Sequence, residues 1–396
     1  MYGIVKNMRK IKNKELLANI FLLLVTLIIV FCIFEVIFRI LEPKPTYIEQ
    51  YRSQSTFSFF EYDSLLGWKH KSNLNELFYM PDTVFELKTN SKGLRDREHS
   101  YSKPPNVVRV QFYGDSFTWG SGLNETQRYA NIFGERMNEY SKKDYEIINF
   151  GVQGYGTDQE YLLLKNEGIK YNPNVVIIAY HNDLIDVAAK EQFTYPRPFF
   201  IIENETLKLT NVPVPKRLIE WDGKFKYEAK DDNFMNKVDI LLSNSKFYVF
   251  MRTKLISFNF VRVFLNKYFG KFKLYSSDTT PETYERTLKV IDKIFLEIKN
   301  ISDQNNSTLV ILLIPDKEQV YGKGNTLEID HLIEFGSRNN ITVINLLPYL
   351  KKFGEKEKGL YFRNDGHFSE KGNEIVGILS SELFIKNIGG TYNEQK

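Results

Sequence analysis

Residues 108–120 read VRVQFYGDSFTWG, and the chemistry of the whole chain turns on how this stretch is parsed. The bulky residues from Val108 to Tyr113 suit a strand, whereas Gly114, Asp115 and Ser116 interrupt it and offer the cap that a following helix requires. Ser116 at such a junction is either a cap or a nucleophile presented at the carboxyl end of a sheet, where open α/β sheets place their ligands. Gly-Asp-Ser alone does not separate the two. A nucleophilic serine needs a base, an acid to orient that base, and donors for an oxyanion. Those partners must come from elsewhere in the chain.

From Asn106 onward, short and nearly continuous apolar runs recur at Val107–Tyr113, Tyr145–Val152, Val175–Tyr180, Thr308–Ile314 and Ile341–Leu347. Runs of this kind suit parallel strands covered on both faces. Helical spacing marks Tyr129–Tyr140, Thr157–Gly168, Tyr284–Ile301 and Glu370–Leu383. Strand alternating with helix implies a doubly wound α/β sheet whose site lies outside the strand carboxyl ends. The required partners follow such strands. Asn149–Gly156 brings Gly151, Gly154 and Gly156, whose missing side chains let backbone N–H groups approach a ligand. Tyr180-His181-Asn182-Asp183 brings the neutral amide donor of Asn182. Asn364-Asp365-Gly366-His367 supplies a carboxylate and an imidazole just before the last helix. Side chains two apart on extended backbone point the same way, so Asp365 reaches His367.

In these four ordered blocks the chain resembles the SGNH, or GDSL-like, hydrolases. Gly114, Asp115, Ser116 and Gly120 match the first block, Gly154 the second, Asn182 and Asp183 the third, and Asp365 and His367 the last. The likeness covers roughly residues 107–383 without an insertion. It implies a flavodoxin-like three-layer α/β sandwich with a parallel five-stranded sheet, and an ester hydrolase needing neither metal nor cofactor. The implied roles are Ser116 as nucleophile, His367 as base and Asp365 as its orienting acid. The N–H groups of Ser116 and Gly154 and the Asn182 amide become the oxyanion donors, with Gly151 and Gly156 as rivals to Gly154. Two departures stand out. Tyr180 occupies a place where glycine is common, and Asn364, not Asp365, stands at the usual three-residue spacing before His367. The two-residue spacing resembles that of alginate O-acetylation proteins. Acyl transfer to a polysaccharide therefore stays open beside hydrolysis, as does a non-catalytic envelope-binding role. Asp115 is expected to hold its loop and His181 to pack or line the substrate, while His70, His99 and His331 are expected at the surface.

The remaining signals place the chain. Residues 16–38 (LLANIFLLLVTLIIVFCIFEVIF) are long and apolar enough to cross a bilayer. Lys6, Arg9, Lys10, Lys12 and Lys14 precede them, which favours a cytoplasmic amino terminus and an extracytoplasmic remainder. No small-residue cleavage pattern follows, so an uncleaved signal anchor is expected. The expected organisation is a basic tail over 1–15, the anchor over 16–38, a stalk and β-rich lead-in over 39–103, and a hydrolase-like domain over 104–390 with an insertion at about 187–281. Pro43 and Pro45 stiffen the stalk. Within the insertion, Lys237–Lys273 carries eight Lys or Arg against the single acid Asp239, a pattern suited to a packed helix pair with a solvated basic face or to a membrane-lying cap. The formal charge of +4 over 396 residues calls for no nucleic acid, and the lone Cys32 excludes an intrachain disulfide. The expected partners are an acyl-ester substrate, on an envelope glycan or lipid, and the membrane; oligomeric state is left open.

Overall fold

The computed structural model describes residues 2–41, 59–188, 191–192, 195–215, 245, 247, 281–322, 324–389 and 392. The chain forms two compact units, Met1–Thr46 with Trp221–Ser276, and Tyr47–Glu220 with Ser277–Lys396. The EPKPT stalk and nearly all of the basic run 237–273 lie outside the described residues.

The first unit is built on α1 (Tyr2–Leu41). Its stretch Ala18–Ile40 has a mean hydropathy of 3.2 and buries none of that surface, so the helix is long and apolar enough to cross a membrane. Phe31, Phe34 and Phe38 share one face of α1, where the ring of Phe247 sits 5.4, 4.9 and 5.8 Å from theirs. The Glu35 carboxylate between them accepts hydrogen bonds from Ser245 Oγ (2.7 Å) and the Phe247 N–H (3.1 Å). The polar acid is thus partnered within an apolar helix.

The second unit opens with two antiparallel hairpins, β1 (Phe60–Asp63) with β2 (Gly67–His70), and β3 (Asn75–Tyr79) with β4 (Val84–Lys88). There follow β5 (Val107–Gly114), α2 (Ser116–Trp119), α3 (Tyr129–Tyr140), β6 (Asp144–Asn149), α4 (Thr157–Asn166), β7 (Val175–Tyr180) and α5 (Asp183–Ala188). The short strands β8 (Glu191–Gln192) and β9 (Tyr195–Pro196) pair, as do β10 (Phe199–Glu203) and β11 (Thr206–Thr210). The chain finishes with α6 (Pro281–Gln304), β12 (Thr308–Leu313), α7 (Lys317–Val320), α8 (Leu327–Asn339), β13 (Thr342–Asn345), α9 (Leu347–Lys356) and α10 (Glu370–Phe384).

Five strands form one parallel sheet in the order β6-β5-β7-β12-β13, the flavodoxin-like order. Helices cover both of its faces. Phe112 in β5 meets Tyr129 and Phe133 of α3 at 5.8 and 5.2 Å, and Phe133 meets Phe384 of α10 at 5.3 Å. The pairing of Tyr113 with Ile178 puts Tyr180 on the side opposite Phe112. There Tyr180 packs on Phe295 of α6, which packs on Phe335 of α8. β5 is the strand at which the winding reverses, because β6 is laid on one side of it and β7 on the other. Its carboxyl end, at Gly114, is therefore the crevice where such sheets bind ligands.

Of the three histidines expected at the surface, His70 and His99 are buried and His331 is half-buried. His70 is buried and stacks on Phe60 at 5.3 Å and Trp119 at 5.8 Å; burial, then the Arg95 charge, brings its pKa down to about 3. His331 pairs with Asp292 at 2.7 Å. His99 is buried between Asp96 (3.3 Å) and Glu146 (2.7 Å), and Glu146 also binds Arg109 at 2.7 Å. Asp292 lies 39 residues from His331 and Glu146 lies 47 from His99, beyond the reach of local patterning.

The His99 network has a pH signature. Burial opposes the His99 cation, but the two carboxylates overcome it and raise its pKa. Burial likewise opposes the Glu146 anion, yet His99 and Arg109 bring that carboxyl to about 2. The Glu146 contribution to stability is full above its unfolded value, about 4.3, and disappears as pH falls toward 2. The His99 contribution is full below its unfolded value, about 6.5, and disappears as pH rises through the raised folded value. Melting temperatures of the protein and its His99→Gln variant should therefore differ most, by roughly a few degrees, between pH about 4.5 and 6.5. A difference unchanged up to pH 9 would contradict this origin.

Candidate active site

Ser116 is the first residue of α2, half-buried just beyond the end of β5. Local chemistry fixes it there. The Asp115 side chain caps the helix by accepting the Phe117 N–H at 2.8 Å, and Gly120 closes it in the left-handed region at φ +82°. A Cβ on Gly114 would lie 2.0 Å from Thr118 Oγ1, so the approach of strand to helix needs glycine. The other oxygen of Asp115 lies 3.1 Å from His181 Nδ1. Asp115 thus holds its loop, and the His181 ring packs 4.1 Å from that of Phe117.

The turn before α10 brings the distant partners. His367 Nε2 lies 2.6 Å from Ser116 Oγ, across 251 residues of sequence. Asp365 Oδ1 accepts both the His367 main-chain N–H, at 2.9 Å, and the imidazole Nδ1–H. With that proton given to Asp365, the Nε2 lone pair faces the serine hydroxyl. Burial opposes the Asp365 anion, but hydrogen bonds and charge from His367 outweigh it and set the carboxyl below its ordinary range. Ser116, His367 and Asp365 are thus in contact in that order. Asn364, at the three-residue spacing, faces elsewhere: its main-chain N–H and amide both donate to Asp82, at 2.8 and 2.7 Å.

The glycine loop after β6 lies against the nucleophile turn, because Val152 N–H donates to Gly114 O at 3.0 Å. Its three glycines differ. Gly151 gives its N–H to Asn149 Oδ1 at 2.9 Å, and a Cβ there would lie 2.4 Å from the Trp119 nitrogen, so it serves close packing. Gly156 is the cap residue of α4. Gly154 sits at φ +75°, and among the described residues no acceptor takes its N–H. Asn182 is also left-handed, at φ +50°, and donates one amide hydrogen to Asp316 Oδ2 at 3.1 Å. Its second N–H is left for another acceptor. Asp316 itself caps α7 in a reciprocal pair with Gln319. The sequence Asp316–Gln319 carries that capping signature, but nothing in the spacing reveals the grip on Asn182.

A cavity of about 460 Å³ opens beside Leu66, His70, Val152, Tyr155 and Leu163, and contains neither Ser116 nor His367. No hydroxyl–imidazole contact like that of Ser116 and His367 lies in its lining. Among the described residues no cluster of His, Cys, Asp and Glu is arranged to take a metal ion.

No protein-family model matches the chain. No curated protein matches it either. Solved structures similar to it include an acetyl xylan esterase (13% identity, 70% of this chain and 99% of that one, TM-score 0.38). A lipase/acylhydrolase from Enterococcus faecalis is similar at 13% identity over 70% of this chain and 95% of that one, TM-score 0.35. A G-D-S-L family lipolytic protein from Veillonella parvula is similar at 10% identity over 70% and 99%, TM-score 0.37. Likenesses of this size carry no weight for mechanism. The α/β fold rests on the sheet described above, and the chemistry on the distances within this chain.

Proposed function

We propose that the protein is a membrane-anchored serine esterase of the SGNH, or GDSL-like, kind. Its catalytic unit stands outside the cytoplasm and cleaves acyl esters, O-acetyl esters among them, of an envelope carbohydrate or lipid. The observation that carries this reading is the 2.6 Å contact between Ser116 Oγ and His367 Nε2, with Asp365 on the far nitrogen. In that reading His367 takes the hydroxyl proton as Ser116 attacks the ester carbonyl, then returns it to the departing alkoxide. Asp365 keeps the imidazole in the productive tautomer and stabilises its cation. The Ser116 and Gly154 N–H groups and the Asn182 amide receive the oxyanion. Water then releases the acyl group and regenerates Ser116. The apolar stretch Ala18–Ile40 supports the anchor, and the basic residues before it support a cytoplasmic amino terminus.

The test uses the full chain in detergent micelles. It should hydrolyse p-nitrophenyl acetate, and a fluorophosphonate should add once, at the peptide containing Ser116. Phosphonate attached elsewhere, or no turnover, would refute the assignment. Adding a glycan acceptor separates hydrolysis from transfer, because an esterase yields free acid at every acceptor concentration.

A further inference from the structure

The hairpins ahead of the sheet reach into the site at one peptide bond. Trp68, in β2, is 1% exposed, and its only side-chain donor, the indole Nε1–H, gives to the Gln153 carbonyl at 3.1 Å. That carbonyl belongs to the same planar unit as the Gly154 N–H. The unit is trans, so its C=O and N–H point in opposite directions, and whatever fixes one fixes the other. Gly154 has no side chain and sits at φ +75°, a conformation open mainly to glycine, so its own torsions do little to restrain the plane.

Trp68 itself is well restrained. Its ring meets Tyr155 edge-on at 5.6 Å and Phe60 at 6.3 Å, and Tyr155 Oη donates back to the Trp68 carbonyl. On the other side of the loop, Gln153 Nε2 reaches Ser121 Oγ at 3.2 Å, and the Tyr155 N–H closes a turn onto Val152 O at 3.1 Å. The flanking residues are therefore held, and the remaining freedom is rotation of the Gln153–Gly154 plane.

We infer that Trp68 is a positioning residue for the oxyanion: by gripping the Gln153 carbonyl it aims the Gly154 N–H at the developing negative charge. This rests on the esterase reading of Ser116 and goes beyond it, because it makes the hairpins ahead of the sheet part of the catalytic apparatus. Tetrahedral oxyanions are stabilised by donors oriented in advance, and a misplaced donor loses rate without losing substrate.

The experiment compares the full-chain protein with Trp68→Phe in detergent, each rate divided by the concentration of sites titrated with fluorophosphonate, so that misfolded protein does not count. Trp68→Phe should lower kcat for p-nitrophenyl acetate about tenfold or more while KM stays within about twofold. Inhibition by a trifluoromethyl ketone, which forms a tetrahedral adduct on the serine, should weaken by the same factor as kcat/KM. If Trp68→Phe yields no titratable protein, the Trp68 indole is replaced by its benzothiophene isostere, which keeps the ring shape and lacks the N–H; the same losses are expected. Unchanged kcat per titrated site, or a rise in KM alone, would overturn the positioning role. A wild-type protein that neither turns over nor takes the phosphonate would instead overturn the esterase reading beneath it.

Discussion

His367→Ala is expected to lower kcat for p-nitrophenyl acetate by on the order of 10⁶-fold, the scale on which serine triads fail when the base is removed. The reason is local. Ser116 Oγ has the His367 imidazole at 2.6 Å, whereas His181, the other histidine near α2, is turned to Asp115 at 3.1 Å. Without His367 the hydroxyl proton has no base to leave to, and the thermodynamic cost of forming a free alkoxide returns in full. Asp365→Asn should be milder, about 10⁴-fold, because an amide in that place can present its NH₂ to Nδ1 and favour the wrong imidazole tautomer. The contrast carries the assignment: an acid that merely stabilised the loop would cost melting temperature, not four decades of kcat. Rates per mole of folded protein for both variants check it, and a loss below about tenfold in His367→Ala would remove His367 from the mechanism.

How much of this could be read from the sequence follows from the range of each interaction. The five nearly continuous apolar runs announced the parallel strands, because strands buried on both faces are mostly apolar. The boundaries moved where side chains outside the pattern took over. The second run was expected to extend to Val152, but Asn149 ends β6 by turning its side chain onto Gly151 N–H and Thr118 O. α8 and α9 were not anticipated. In α8 only Ile329, Leu332, Phe335 and Gly336 are buried, and the exposed Leu327 before them and Ile333 among them blur the apolar stripe. The order of blocks singled out Ser116, Asp365 and His367, since each carries its chemistry in its own residue type. What order could not reveal was the machinery around them. Trp68, Asp82 and Asp316 are ordinary residues whose partners Gln153, Asn364 and Asn182 lie 85, 282 and 134 positions away. The same limit holds for His99 and His331: Glu146 and Asp292, the carboxylates that meet them, lie 47 and 39 positions away on other elements.

The largest structural effect should come from Arg95, which ties those hairpins to the nucleophile turn. Its guanidinium is buried, with the ring centres of Phe85 and Trp119 4.7 and 4.4 Å away. It donates to Trp119 O at 2.9 Å, Gly120 O at 2.7 Å, Glu86 O at 3.1 Å and Leu123 O. Burial first, and then the charge of Arg128, works against this cation, so the carbonyl dipoles and ring faces must compensate. Arg95→Met would fill the space yet leave the Trp119, Glu86 and Leu123 oxygens without that donor in a dry interior, while Gly120 O keeps the Leu123 N–H at 3.2 Å. Unsatisfied buried groups cost about 1–3 kcal/mol each, with partial relaxation, so a loss of about 4 kcal/mol in unfolding free energy is expected. Arg95→Lys should restore less than half of it. One ammonium keeps the charge but has neither the planar fork to span four acceptors nor the flat face to lie between two rings. Urea unfolding of the full chain in detergent measures both. The segment bound by Arg95 is also the exit from α2, whose first residue is Ser116, so kcat should fall with stability in Arg95→Met. A variant within about 1 kcal/mol of wild type would mean that the oxygens find other donors, and that the hairpins are packed beside the nucleophile turn without holding it.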